Sequence, residues 1–442
     1  MRTSGTTVCG WGGTRVAGVE ILSEDLAAIT RGATLTRGLG RSYGDSSLPP
    51  ADVRTIPGSA LADRLLTFDA DSGLLRAEAG LSIGEIQRIF LPRGWSFPVL
   101  PGTQFVTLGG AVAADIHGKN HHVAGTVGRH VRTLLLRTAD DALIACSREE
   151  NPDLFQATLG GMGLTGHILE VEISLKRIPS PWIWAESERV TGIDSFIDAL
   201  GRAANDWPYT VGWLDALARG KNLGRGILMR GRWAQPGEAP REPPGRLRRV
   251  RVPFALPGWA LNSLSMRAFN TLYFHKHPGK VKRGVVHPES FFHPLDAVLD
   301  WNLVYGRRGF TQHQCVLPEK ERPGATQRYL EALVAGGLGS FLCVIKDCGP
   351  EGEGLLSFPR SGISIAVDLP MRARTQKIVD QLNERVIEAG GRVYLAKDAL
   401  STPEHFRAME GRLEAFEIVR NRWDPNHRLR SAQSVRLLGD PV

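Results

Sequence analysis

The chain has 442 residues, of which 42% are hydrophobic and 23% charged, and it carries a formal net charge of +8. The length exceeds the ~250–300 residues at which a single core usually stops growing, so we expect two domains of ordinary globular composition. The positive charge favours an anionic partner, but basic residues not interleaved with aromatic ones and the absence of any nucleic-acid-binding motif argue against nucleic acid.

Cysteine usage and hydropathy narrow the chemistry and the compartment. Five cysteines without C-x-x-C spacing argue against a disulfide framework and against a zinc site, so we expect reduced thiols and no metal. The first seven residues contain no apolar signal core, and no run of 18 apolar residues occurs. These patterns predict a cytoplasmic or peripheral membrane protein.

The first candidate site is a glycine-rich segment at residues 36–45, which we call the first glycine loop. Gly38, Gly40 and Gly44 surround Arg41 and Tyr43. Such turns form nests of backbone N–H donors that bind pyrophosphate, although many glycine-rich loops are plain turns.

Periodicity then predicts a strand, a helix and a lead-in segment. Residues 74–79 alternate apolar and polar side chains, as a strand does, and Ser82 is placed to cap a helix over Ile83–Phe90. Residues 95–100 lead into a second glycine segment, at residues 101–122.

The second glycine segment combines bare backbone with titratable groups. Gly102, Gly109 and Gly110 let a main chain approach a planar or phosphorylated ligand closely. Five titratable side chains follow within eight residues, which a buried element would not tolerate without partners. The segment predicts a cofactor wall, with Asp115, His117, Lys119, His121 and His122 beside it.

A third glycine segment, at residues 159–166, contains a G-x-G-x-x-G string at Gly161, Gly163 and Gly166. Strands are predicted before it at residues 131–137 and 143–146, joined by a turn around Asp140. A dinucleotide fingerprint follows a strand and opens a helix. Here a predicted helix over residues 151–158 precedes the string and a predicted strand over residues 168–175 follows it, so we reject a Rossmann unit.

The character of the chain changes near Pro179, where we place the start of a second domain. A Pro/Arg-rich stretch over residues 235–257 predicts a loop, which we extend as a mobile loop over about residues 235–285. The basic run at residues 246–251 is either a solvated loop or a contact with an anionic membrane surface. Interfacial side chains for such a contact follow it at Phe254, Leu256, Trp259 and Leu261.

Residues 390–398 predict a short strand that ends in Lys397, which is either an exposed charge at the end of the strand or a functional group.

Together the strings GLGRSYGD, VLPGT, DIHGKNHH, GLTG, FFHPLD and YLAKD resemble the flavin-dependent oxidoreductases of the vanillyl-alcohol-oxidase type, which carry a PCMH-type FAD-binding domain. Within that family they resemble the oxidases of polyprenyl-phosphoryl pentoses. The resemblance extends from Cys9 to Trp423, over nearly the whole chain.

The resemblance implies an α+β fold. It implies a two-subdomain FAD-binding domain at residues 1–180, a substrate domain on an antiparallel sheet with flanking helices at residues 181–391, and a return to the FAD-binding domain at residues 392–442. It also implies bound FAD, which we expect to dissociate because Tyr43 stands where related covalent flavoproteins carry histidine. The implied cofactor contacts are Arg37, Gly38, Leu39, Gly40, Arg41, Ser42, Tyr43, Gly44, Gly102, Thr107, Gly109, Gly110, Ala114, Asp115, His117, Ile168 and Tyr394.

The implied activity is oxidation of the 2′-hydroxyl of a polyprenyl-phosphoryl-β-D-ribose to the 2′-keto sugar. This is the first half of an epimerisation to an arabinose donor for cell-wall polysaccharide, completed by a separate keto-reductase. We expect catalytic roles for Lys397, His117, Lys119 and Gln314, with the identity of the base left open. The implied substrate contacts are Tyr43, Trp213, Phe292, Gln312, Gln314, Lys346, Ser364 and Ala366.

Two departures from the resembled oxidases concern the pocket. Phe292 replaces a tyrosine, and Ser364-Ile-Ala366 replaces an Asn-Ile-Cys triplet. Each lost polar group alters hydrogen bonding by about 0.5–1.5 kcal/mol, enough to shift substrate preference. Two alternatives therefore stay open: an FAD enzyme for a soluble sugar, alditol or aldonolactone, and a catalytically idle flavin-binding or membrane-scaffold protein.

Overall fold

The computed structural model describes residues 2–259 and 261–442, and the fold is α+β. Its first part forms small sheets joined by short helices. In chain order these elements are β1 (Arg2–Ser4), β2 (Thr7–Cys9), β3 (Arg15–Ala17), β4 (Val19–Leu22), α1 (Leu26–Ile29), β5 (Thr55–Gly58), β6 (Leu65–Asp69), β7 (Leu74–Glu78), α2 (Ile83–Phe90), β8 (Trp95–Ser96), α3 (Leu108–Ala113), α4 (His121–Ala124), β9 (Val131–Arg137), β10 (Leu143–Ser147), α5 (Pro152–Thr158), β11 (His167–Ser174) and β12 (Lys176–Arg177).

The largest sheet of this part is antiparallel, with strand order β10-β9-β11-β7-β6. Every second residue along its strands is buried, as Leu75 and Ala77 are on β7 and Val171 and Ile173 on β11, because successive side chains point to opposite faces. The strands predicted at residues 74–79, 131–137, 143–146 and 168–175 are confirmed within one residue at either end.

Helix α2 begins as its sequence predicts. The Ser82 side chain accepts a hydrogen bond from the Glu85 N–H at 3.1 Å, which satisfies one of the free donors of the first turn. The helix turns Ile83, Ile86 and Phe90 into the core.

Replacing this cap tests the local interpretation. We expect Ser82→Ala to lower the free energy of unfolding by about 1 kcal/mol, and Ser82→Gly by only a few tenths, because glycine tolerates the capping backbone. Urea denaturation of the two variants measures the difference. Equal stability of both variants and the parent would contradict a capping role.

The second part begins at residue 183. Its elements in chain order are β13 (Ile183–Val190), α6 (Ile193–Asp206), β14 (Tyr209–Leu214), β15 (Gly226–Trp233), β16 (Val250–Arg251), α7 (Ser263–Lys276), β17 (Lys282–Val286), α8 (Pro288–Phe292), β18 (Val298–Leu299), β19 (Phe310–Leu317), α9 (Ala325–Gly336), β20 (Cys343–Cys348), β21 (Gly362–Pro370), α10 (Thr375–Glu388), β22 (Arg392–Val393), α11 (Pro403–Met409), α12 (Leu413–Trp423) and α13 (Ala432–Leu438).

An eight-stranded sheet of order β17-β13-β15-β14-β20-β21-β19-β22 dominates this part. Helices α6, α9 and α10 pack on one of its faces. In β19, the side chain of His313 bonds Tyr329 of α9 and Asn383 of α10, while its neighbours Gln312 and Gln314 point to the opposite face. That opposite face is turned toward the glycine segments of the first part.

Two sequence predictions are wrong in detail. The loop expected over residues 235–285 contains the 14-residue helix α7, which starts at a capping box between Asn262 and Ser265 and buries Met266, Asn270 and Phe274 at every fourth position. We had extended the loop predicted from the Pro/Arg-rich residues 235–257 across this local helical signal.

The strand expected over residues 390–398 is restricted to β22, and it pairs with β19 at the edge of the eight-stranded sheet. Residues 394–398 form a turn, in which the Lys397 N–H donates to the Tyr394 carbonyl at 2.9 Å. The following helices return to the first part: Arg436 of α13 binds Asp45, and Arg430 just before α13 binds Asp52. Across residues 2–259 and 261–442, no helix has the length and hydrophobicity needed to cross a bilayer.

Candidate active site

A cavity of about 1320 Å³ lies between the two parts of the chain. Its walls are the first glycine loop, the second glycine segment and the free face of the eight-stranded sheet. Ordinary ligand pockets have volumes of about 300–1,000 Å³, so this cavity has room for a dinucleotide and a second ligand.

The first glycine loop is fixed by backbone contacts on two sides. Trp11 N–H donates to Ser42 O, and Tyr43 N–H donates to Ala396 O at 2.9 Å in the turn that carries Lys397. A Cβ on Gly38 would lie 2.5 Å from Thr107 Oγ1, so only glycine allows this loop to approach the start of α3.

The second glycine segment continues the same wall. Thr107 caps α3 by accepting a hydrogen bond from Gly110 N–H at 3.1 Å, and Tyr394 donates its hydroxyl proton to Ala114 O at 2.9 Å. Twelve of the residues that the sequence assigned to the cofactor line the cavity: Gly38, Leu39, Gly40, Arg41, Ser42, Tyr43, Gly102, Thr107, Gly110, Ala114, His117 and Tyr394.

The other five are not among the residues that line the cavity, and their contact with the cofactor stays a prediction. The guanidinium of Arg37 donates hydrogen bonds to the backbone carbonyls of Cys9 and Ser47. Asp115 accepts hydrogen bonds from Gly128 N–H and from the Ser357 hydroxyl. The remaining three pack against protein backbone or core: Gly44 on Asp398, Gly109 on Ala79, and Ile168 within the core of the first part.

The free face of the sheet presents polar side chains at alternate positions of apolar strands. Lys346 of β20 lies between buried Ile345 and partly buried Asp347, and Ala366 of β21 pairs in register with Gln314 of β19. The predicted substrate residues that line the cavity are Tyr43, Trp213, Phe292, Gln312, Gln314, Lys346 and Ala366. Ser364 lies on the same face of β21 as Ala366 but is fully buried, with its hydroxyl 3.4 Å from Gln314 Nε2, and its contact with the substrate stays a prediction.

Each of the two glutamines is oriented by a neighbouring side chain. Gln312 Nε2 donates to Asp368 Oδ1 at 2.6 Å, and a carboxylate oxygen fixes which end of the amide faces it. Gln314 Nε2 lies 2.9 Å from His117 Nε2. Burial and the charge of Lys346 lower the pKa of His117 well below its usual value, so the ring is neutral, and Nε2 accepts because the Gln314 amide nitrogen facing it can only donate. Each glutamine therefore keeps its carbonyl oxygen for a ligand's hydroxyl donor.

Lys397 lies beside these amides, with its Nζ 3.7 Å from the centroid of the Tyr43 ring. Burial, together with the nearby charge of Lys346, lowers the pKa of Lys397 to about 7, although the carboxylate of Asp368 opposes the shift. The part of the side chain that is exposed faces the cavity. A ligand that fills the cavity would therefore strengthen this desolvation.

Lys119 is held differently. Its Nζ donates to the carbonyl oxygens of Phe291 at 2.7 Å and Phe292 at 2.9 Å, and burial lowers its pKa to about 7. These bonds attach the second glycine segment to α8. These two bonds indicate that Lys119 positions the segment that carries Phe292, whereas the sequence led us to expect a catalytic role for Lys119.

Asp368 is the polar residue that the sequence analysis missed. It accepts hydrogen bonds from the Tyr305 hydroxyl at 2.9 Å as well as from Gln312, and burial raises its pKa to about 7. A signal was present: an aspartate stands inside the apolar strand Gly362–Pro370, where an unpaired charge would be costly.

Several buried donors on the cavity wall have no partner among the described residues. Arg41 Nε, Ser46 Oγ and His117 Nδ1 belong to this group, and all three residues line the cavity. A phosphorylated dinucleotide supplies the acceptors that such donors need, and an apolar wall suits a planar ring. The residues present therefore fit FAD.

The described residues contain no group of three or more His, Cys, Asp or Glu side chains placed to hold a metal ion. The histidines of the second glycine segment are engaged separately: His121 Nδ1 accepts from Gly349 N–H, and His122 Nε2 lies 2.9 Å from Trp207 O.

Thiol chemistry gives a test of this wall. Burial raises the pKa of Cys146, Cys315 and Cys348 to about 12, and no cysteine among the described residues lines the cavity. We expect Ala366→Cys to add one iodoacetamide-labelled site, detected by peptide mass spectrometry, while Ala366→Ser adds none. No additional labelling in Ala366→Cys would contradict the placement of position 366 on the cavity wall.

Comparison with known proteins adds the following similarities. Residues 24–147 match the family described as FAD binding domain. The chain is 34% identical to the decaprenylphosphoryl-β-D-ribose oxidase of Mycolicibacterium smegmatis, over 98% of each chain. It is 32% identical to an uncharacterized protein of Streptomyces coelicolor, over 81% of this chain and 100% of that one. A putative D-arabinono-1,4-lactone oxidase of Neurospora crassa is 29% identical over 35% of this chain and 27% of its own.

Proposed function

Because the chain belongs to the decaprenylphosphoryl-β-D-ribose oxidase family of FAD-dependent oxidoreductases, we propose that it oxidises the 2′-hydroxyl of a polyprenyl-phosphoryl-β-D-ribose to the 2′-keto sugar. The observation that carries this proposal is the cavity itself. It joins donor-rich glycine segments to a polar surface that contains Lys397 and two amide carbonyl oxygens.

FAD would be held in this proposal by the backbone of residues 38–43 and by Arg41, Ser46 and His117, which line the cavity and each carry a buried donor without a partner among the described residues. Bound there, FAD would supply the acceptor for the hydride that leaves the oxidised carbon. The first glycine loop offers Tyr43 in place of a histidine, so the cofactor is dissociable. Acid precipitation is expected to leave the flavin in the supernatant.

The protein's own groups handle the hydroxyl proton. Lys397, whose pKa burial lowers to about 7, loses its proton far more readily than an ordinary lysine and takes the proton from the 2′-hydroxyl as the carbonyl forms. The carbonyl oxygens of Gln312 and Gln314 accept hydrogen bonds from sugar hydroxyls and hold the ring in place. Arg249, Lys282 and Arg283, on the outer part of the cavity wall, suit the phosphate.

The 2′-keto product requires a second enzyme if the pentose is to be epimerised. We therefore propose a keto-reductase as the functional partner, with the lipid-linked keto sugar passed between the two. Because the substrate is lipid-linked, we also propose that this protein and the keto-reductase both act at an anionic membrane surface.

The soluble-sugar alternative is favoured by one observation. Phe292 lies in the cavity wall with its ring 4.9 Å from that of Tyr209, and it offers no hydroxyl where the resembled oxidases have tyrosine. A pocket with fewer polar groups at this point selects differently among polar ligands.

One experiment separates the two candidates. The FAD-loaded protein is mixed anaerobically with polyprenyl-phosphoryl ribose, free ribose, an alditol or an aldonolactone, and the flavin absorbance is followed. We expect bleaching by the lipid-linked pentose and none by the free compounds at equal concentration. Bleaching by a free sugar or lactone alone would replace the proposal by its alternative. Adding quinone or oxygen to the bleached protein and following the return of flavin absorbance then identifies the electron acceptor.

A further inference from the structure

The positive charge of the protein is concentrated in one segment. Residues 241–283 contain ten lysines and arginines and a single glutamate, a net charge of +9, whereas the whole chain carries +8. The rest of the molecule is therefore close to neutral. The segment leaves the sheet after β15 and returns to it at the edge strand β17.

Many of these charges have no acidic partner. Arg249, Arg251 and Arg283 pair with Glu289, Asp300 and Glu186. Among the described residues, no carboxylate lies within ion-pair distance of the other seven basic side chains of the segment, and all seven are exposed. An unpaired cluster of this kind attracts an anionic surface, and each residue near a lipid surface adds about fivefold in affinity.

The same segment carries half of the exposed large hydrophobic side chains in the described part of the chain. Eight of sixteen fall within its 43 residues, including Phe254 at 64% exposure, Trp259 at 77%, Leu264 at 78% and Leu272 at 71%. Soluble surfaces rarely concentrate apolar groups in this way without a partner.

Helix α7 shows how the apolar groups are displayed. Met266, Asn270 and Phe274 form its buried stripe, while Leu264 and Leu272, eight residues apart, lie on another side in solvent. The exposed leucines and the basic side chains Arg267 and Lys276 on the same helix produce a surface that is both apolar and cationic.

This surface is continuous with the cavity. Phe269 and Tyr273 of α7 line the cavity and stack with ring centroids 5.9 Å apart, and Tyr273 packs 4.7 Å from Trp213 on the sheet. An aromatic path therefore leads from exposed α7 to the inner wall beside the substrate-facing strands.

We propose that residues 241–283 dock the protein on an anionic lipid bilayer, with Trp259, Leu264 and Leu272 entering the interface and the cavity mouth facing the membrane. A lipid-linked substrate then reaches the inner wall along Phe269 and Tyr273 without leaving the bilayer. The docking itself is independent of the reaction, and only the identity of the entering molecule rests on the proposed function.

The test uses the FAD-loaded full-length protein and sedimented vesicles. We expect binding to vesicles with 30% phosphatidylglycerol, at least tenfold weaker binding to pure phosphatidylcholine, and release by high salt. The double variant Leu264→Ser/Leu272→Ser should lower binding at least tenfold, as should Lys276→Glu/Lys280→Glu. The matched controls, Ile418→Ser and Lys377→Glu on α12 and α10, should bind as the parent does.

A second readout separates this proposal from the proposed function. All four variants should be bleached at the parental rate by a short-chain, water-soluble prenyl-phosphoryl ribose, because none of the altered side chains lines the cavity. Equal binding to neutral and anionic vesicles, or undiminished binding by the two segment variants, would overturn the docking proposal whether or not the flavin is bleached. Failure to sediment with either vesicle would likewise overturn the docking proposal.

Discussion

Lys397→Met is expected to slow anaerobic flavin bleaching by polyprenyl-phosphoryl ribose by a factor of about 10²–10⁴, the usual contribution of a positioned proton acceptor. Methionine keeps most of the side-chain length beside Tyr43 but cannot take a proton. In the parent protein, the bleaching rate should rise as pH increases through about 7, where Lys397 loses its proton, and level off above it. The variant should lose this rise.

Stopped-flow absorbance at saturating substrate measures both effects. The exposed Lys377→Met on α10 serves as the control and should match the parent. The flavin content of each protein is determined first, so that a loss of cofactor is not mistaken for a loss of catalysis. A variant that bleaches at the parental rate, with the parental pH profile, would remove Lys397 from the proposed chemistry.

Gly44→Ala should largely abolish FAD retention. A Cβ at this position would lie 1.8 Å from the carbonyl oxygen of Asp398 and 3.0 Å from Cα of Ala399, and both are backbone atoms that cannot rotate away. The first glycine loop must then separate from the turn that carries Lys397. Loss of the Tyr43 N–H bond to Ala396 follows, and with it the alignment of the donors at residues 38–43.

The ratio of flavin to protein after gel filtration measures retention, and we expect it to fall below a tenth of the parental value. Gly411→Ala provides the control, because an added Cβ there meets no atom within 4 Å and the residue is exposed. Far-UV circular dichroism distinguishes a locally displaced loop from global unfolding. Full flavin content in Gly44→Ala would show that the close approach at Asp398 is not needed to hold the cofactor.

Local patterns predicted the parts of the fold that depend on local sequence. The alternation at residues 74–79 and the cap at Ser82 are sufficient to define their elements, because a half-buried strand and a capped amphipathic helix need no distant partner to be recognised. The glycine segments likewise indicated the cavity wall, because glycine, the residue with the greatest backbone freedom, is visible directly in the sequence.

Long-range contacts could not be predicted in this way. The short β22 pairs with β19, which lies about 75 residues earlier in the chain, and no periodicity in residues 390–398 distinguishes that strand from the turn after it. The partners of Lys119 lie in α8, and those of Asp368 lie on other strands and loops, so their roles depend on topology. Arg37 and Asp115 are cofactor contacts implied by the resemblance, yet their side chains bond the backbone of neighbouring loops.

The flavin spectrum of the purified protein tests the central claim most directly. We predict a protein that carries or takes up one FAD per chain and whose flavin absorbance is lost when one equivalent of polyprenyl-phosphoryl ribose is added without oxygen. A colourless protein that does not bind added FAD, or a bound flavin whose spectrum stays unchanged with excess substrate, would contradict it.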